Sequence, residues 1–183
     1  MPGPPKRRFQ ISDAMILIAA TAVGLGITRA LLPDFENFGM RGTSSPELNR
    51  FFRIMYLLNA IGPTLVVWTI AVLVLGLIKP RRRLRRLFRQ PGAAACASAT
   101  VAIAILTVLV LVLWIRGSAA ASIPTLFSGY GQIVSYAILG GWLILCLTGQ
   151  WRADPNWLDR LGRLIGLCWF TFTIVSWSSY LLL

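Results

Sequence analysis

Asn59, Gln132, Ser135 and Tyr136 are polar side chains in the outer half of the second and fourth apolar stretches of this chain. All four are neutral. Together they could line a small neutral polar cavity, as in a small permease or channel-like protein. Asn59 stands just before Gly62-Pro63, and Pro63 denies a hydrogen-bond donor to the carbonyl four residues earlier. The polar groups near that kink therefore have two readings. They bond helix to helix, or they open a cavity between the second and fourth apolar segments. A proton relay is disfavoured, because no buried pair of ionisable residues stands in these segments. Asp13 lies at the start of the first apolar segment, where a carboxylate complements a helix N-terminus. Arg29 lies near that segment's far end and can reach toward headgroups.

The chain has no histidine, which removes the commonest general base and the commonest zinc ligand. Cys96, Cys146 and Cys168 form no CxxC pair. A three-thiolate site is conceivable, but these residues read more simply as buried small side chains. We expect no metal, no cofactor and no enzymatic activity.

The strongest local signal is basic. Arg81, Arg82, Arg83, Arg85, Arg86 and Arg89 stand within residues 79–92 without an acid. Leu84, Leu87 and Phe88 fall on one helical face, with Arg82, Arg86 and Arg89 opposite. That suits a short interfacial helix with its arginines on anionic lipid headgroups. The bland alternative is a topology determinant that any headgroup satisfies. Nucleic acid is disfavoured, since no interleaved aromatics accompany the arginines.

These residues are embedded in a chain of 183 residues that is 56% hydrophobic and 13% charged, with a net charge of +12. Soluble domains carry about 25% charged residues. So much apolar surface needs lipid as solvent. Five stretches approach the roughly 20 residues that cross a bilayer as a helix: 14–32, 54–78, 93–115, 130–149 and 161–183. The fourth is the weakest by hydropathy. The expected fold is all-α, a single transmembrane domain spanning 1–183, with an outer loop at 33–53. Pro33 is expected to end the first helix. Ser45-Pro46-Glu47 reads as the start of a short surface helix, with Leu48, Phe51, Phe52 and Met55 as its apolar stripe.

Small residues mark faces where helices can approach closely. Gly162 and Gly166 do so in the fifth segment, Ala137 and Gly141 in the fourth. In the first, Ala20 with Gly24 and Ala22 with Gly26 are the alternatives. These faces suit contacts within the chain, a homo-oligomer or another membrane protein.

The segment KRRFQISDAMILIAATAVGLG (6–26) resembles the opening of many multi-span proteins of planctomycete-type bacteria. NWLDRLGRLIGLCWF (156–170) is similar in style to their last span. The resemblance implies a bacterial cytoplasmic membrane and carries no activity or site residue.

Cytoplasmic loops are enriched in Lys and Arg. Five crossings place Lys6, Arg7, Arg8, Lys79, Arg81, Arg82, Arg83, Arg85, Arg86, Arg89, Arg152, Arg160 and Arg163 on one side, 13 of the 18 cations. Arg29, Arg41, Arg50, Arg53 and Arg116 fall on the other. Without the fourth crossing the split would be 10 against 8, so charge supports that span independently. The N-terminus is thus expected in the cytoplasm and the C-terminus outside. A reporter that is active only outside the cytoplasm should be active when fused after Arg116 and silent when fused after Arg86. The opposite pattern would overturn the orientation.

Overall fold

The computed structural model describes residues 10–39, 46–78, 89–116, 123–151 and 156–181. They form five helices: α1 (Ile11–Gly39), α2 (Pro46–Ile78), α3 (Pro91–Ile115), α4 (Ile123–Leu147) and α5 (Trp157–Leu181). No strand occurs among the described residues. All five helices are long and apolar enough to cross a membrane. The chain is a membrane-spanning helical bundle.

Two expectations about the first connection are corrected. Pro33 does not end α1, which continues to Gly39. A proline removes one backbone donor, and a membrane helix accommodates that loss locally. Nor does a separate surface helix precede the second span. Pro46 does begin a helix, as proline at the first helical position should. That helix then runs unbroken for 33 residues through Pro63. At about 1.5 Å per residue it is roughly 50 Å long, beyond the ~30 Å hydrocarbon core. The side chains of the expected apolar stripe, and the arginines at 81, 82, 83, 85 and 86, lie outside the described residues. The apolar part of the fourth helix begins at Tyr130, as expected, and the helices themselves begin earlier than the expected spans. The fourth helix starts at Ile123, with Pro124 in its first turn, and the fifth starts at Trp157.

The helices alternate in direction. α2, α3, α4 and α5 pack together, and α1 leans almost wholly on α2. The buried core is drawn from the four: Val72 and Leu75 of α2, Ala99 of α3, Val134 and Ile138 of α4, and Trp169 of α5. Large aliphatic side chains cover the outside, among them Ile105, Val108 and Leu109 of α3 and Leu143 and Ile144 of α4. Such an exterior requires lipid rather than water as its solvent.

The α1–α2 seam explains how the proline of α2 is tolerated. Gly62 and Pro63 are buried. One turn before the proline, the hydroxyl of Thr28 donates to the Ala60 carbonyl at 2.8 Å. A side chain of α1 thus supports the ladder of α2 beside the bond that Pro63 cannot make. Further along, Trp68 donates its indole N–H to Thr21 Oγ1 at 3.0 Å, and Thr21 donates to its own helix at Leu17. Between these two bonds sits Gly24, where a Cβ would fall 2.8 Å from the Thr64 Cα. Gly26 has nothing within 4 Å of the same position. Of the two small-residue pairs in α1, Ala20 with Gly24 makes the contact.

Gly24→Ala should therefore destabilise the bundle by about 1–3 kcal/mol, the range for overpacking a close contact. Gly26→Ala should be neutral or slightly stabilising, since alanine is the better helix former. Unfolding of both variants in one detergent compares them directly.

Candidate functional site

The most constrained polar site lies where α3 and α5 begin side by side. Gln90 is the N-cap of α3, extended at φ −86°, ψ 125°, and makes no side-chain cap bond. Pro91 comes next, with no amide to satisfy. The amide after it, that of Gly92, is bonded from another helix. It donates to Asp159 Oδ1 at 2.8 Å, a buried bond between residues 67 apart in the chain. Asp159 sits in the first turn of α5 and is 2% exposed. It therefore caps α3 while complementing the N-terminus of its own helix. Arg163, one turn on, approaches Asp159 Oδ2 through Nε at 3.3 Å.

Glycine is required on both sides of this contact. A Cβ at Gly92 would lie 2.2 Å from the Asp159 carbonyl oxygen, and one at Gly162 would lie 2.6 Å from the Gly92 oxygen. One turn deeper, Gly166 faces Trp142 of α4 at 2.8 Å and Ala95 of α3 at 3.3 Å by the same measure. Trp142 in turn donates its indole N–H to the Pro91 carbonyl at 2.9 Å. Gly141 meets Ser98 of α3, and Ala137 packs against the core. All four small residues singled out in α4 and α5 thus touch neighbours within the chain.

A crevice of about 10 Å³ adjoins the carboxylate, lined by Val72, Leu73, Gly76, Gln90, Cys96 and Asp159 among others. That is room for about one water molecule. Organic ligands occupy sites of about 300–1,000 Å³.

Of the expected polar cavity residues, Ser135 and Tyr136 lie on different faces of α4. Ser135 is buried between α4 and α5. Its hydroxyl lies 2.6 Å from the Trp169 carbonyl and 2.8 Å from that of Gly131. It accepts from Thr173 at 2.6 Å. Tyr136, the next residue, turns outward and is 52% exposed. Gln132 is half-buried. The side chain of Asn59 lies outside the described residues. Ser135 is thus joined to Thr173 and Trp169, not to Tyr136. Cys96 is buried, Cys168 half-buried and Cys146 exposed. Among the described residues no three metal-ligating side chains gather around one point.

Sequence reasoning does not single out Asp159, Thr173 or Thr69. Thr69 accepts the Trp169 indole N–H at 3.1 Å, linking α2 to α5. The available signal is the presence of small hydroxyl residues inside long apolar segments. No protein-family model, curated protein or solved structure matches this chain.

Asp159→Ala should lower stability by about 1–3 kcal/mol, combining a lost cap with an unpaired buried amide. Asp159→Asn keeps an acceptor for Gly92 and should lose less. Equal losses in chemical unfolding of the two variants would show that the carboxylate does not cap α3.

Proposed function

We propose that this chain is a non-enzymatic subunit of a bacterial cytoplasmic membrane, serving packing, assembly or accessory roles beside other membrane proteins. Its N-terminus and arginine-rich loops face the cytoplasm, and its C-terminus lies outside. One observation carries the reading: five buried or part-buried polar side chains, Asp159, Ser135, Thr173, Thr69 and Thr28, hold helices to one another. Asp159 caps α3, Ser135 and Thr173 tie α4 to α5, Thr69 receives Trp169, and Thr28 supports α2. Such bonds suit a rigid element with a fixed shape rather than a site that must rearrange around a substrate. The lipid bilayer is its solvent, and anionic headgroups meet its basic face.

Native mass spectrometry after gentle detergent extraction tests this. A homo-oligomer or a stoichiometric co-purifying membrane protein is expected. A strictly monomeric species, with no protein partner at any detergent concentration that keeps it folded, would count decisively against a subunit role.

A further inference from the structure

We infer that the junction of α3 and α5 holds the phosphate of an anionic phospholipid between Arg89 and Arg160, with Arg163 as a positioned neighbour. Three observations converge there. The first is charge. Among the described residues Asp159 is the carboxylate at this junction, and Arg163 pairs with it. Among the described residues neither Arg89 nor Arg160 has an ion-pair partner, and positive charge exceeds negative there. The second is accessibility joined to an unmet bond. Arg160 is exposed and Arg89 half-buried. Arg89 Nε, a donor, is shielded and bonds to nothing among the described residues. The third is depth. Trp142 and Trp151 meet edge to face at this end, with centroids 6.2 Å apart, and Trp151 is 40% exposed. Tryptophans of this kind sit at the membrane interface, so arginines beside them lie at phosphate level.

The contact between Gly92 and Gly162 fixes the spacing. Arg89 is three residues before Gly92, and Arg160 is two before Gly162. Backbone contact between these glycines brings the main chain at Arg89 and at Arg160 to the same junction without ordering a long loop. Guanidinium groups match phosphate oxygens in geometry and stay charged in an interface. The inference rests on the proposed placement of the arginine-rich end at a membrane face. It adds a defined site to the diffuse attraction expected of the basic loop.

The test uses the full chain in neutral detergent with added phosphatidylglycerol or phosphatidylcholine, read by lipid retention in native mass spectrometry. Phosphatidylglycerol should bind about tenfold more tightly than phosphatidylcholine. The double variant Arg89→Gln, Arg160→Gln should lose that preference. Arg29→Gln with Arg53→Gln removes the same charge at the opposite end and should keep it. Arg160→Gln alone, at an exposed position, carries the test if the double variant unfolds early. Equal losses in the two double variants, or no loss in the first, would overturn the site. So would displacement of phosphatidylglycerol by a hundredfold excess of inorganic phosphate, which would mark a site for free phosphate. Micelles have no sidedness, so failure here leaves the proposed orientation and subunit role untouched.

Discussion

Two helices that start side by side and point the same way bring like partial charges together. Each N-terminus carries roughly half a positive charge in its unsatisfied amides. α3 and α5 do this where Gly92 meets the backbone of Asp159 and Gly162 meets that of Gly92. The arrangement is stable because Asp159 lies between them. Its carboxylate accepts the Gly92 amide and offsets both termini at once. The neighbouring packing depends on that contact. Trp142 reaches the Pro91 carbonyl only because α3 begins there, and Gly166 leaves space for the same ring. α2 closes the crevice from the other side with Val72, Leu73 and Gly76.

The same constraint recurs wherever a polar side chain enters the bundle. Hydrocarbon offers no water to hydrogen-bond, so each hydroxyl or indole must find a protein partner. Thr21, Thr69 and Thr100 bond first to the carbonyl one turn back on their own helices. Thr21 and Thr69 then still have oxygen lone pairs for an indole from the next helix, and Trp68 and Trp169 use them. A threonine thus hides its own proton and presents an acceptor. This is how a chain poor in charge gains directional contacts that apolar packing alone does not supply.

Legibility in the sequence tracks which properties are local. Five crossings are written in length and hydropathy, and the arginine split supports the fourth without reference to its composition. Helix ends are less legible. Pro33 reads as a helix end and Pro46 as a helix start, yet Pro33 lies within a helix and Pro46 does begin one. Proline fits a first turn without loss, whereas inside a membrane helix it costs one backbone bond that neighbouring groups can offset. Gly24 and Gly26 are equivalent in sequence, but two residues along a helix are about 200° apart. Only one faces Thr64. Ser135 and Tyr136 pair as cavity candidates by proximity in the chain, and a rotation of about 100° sends one inward and the other outward. Asp159 is hidden for a different reason. A carboxylate in a first turn already has a sufficient local role, so nothing in its neighbourhood points to a second role on a distant helix.

α3 shows how side-chain volume, rather than polarity, decides where the bundle is tight. Its buried residues are Pro91, Gly92, Ala95, Cys96, Ala99, Ala102 and Ile103, all in the N-terminal half. Small side chains there let three neighbouring helices close on it. Beyond Ile103 the sequence turns to large aliphatics, and Ile105, Val108, Leu109, Leu111 and Val112 are exposed. The change is not one of hydrophobicity, since both halves are apolar. A helix surrounded by lipid gains nothing by burying a leucine that hydrocarbon already solvates. It gains by close van der Waals approach, which small residues permit and branched ones prevent. The first half of α3 is therefore held by its neighbours, and most of the second half, Leu106 excepted, faces outward toward lipid. The end of the bundle that bears Asp159 is fastened because glycine and alanine are there, and the polar bonds lock a contact that volume had already made possible.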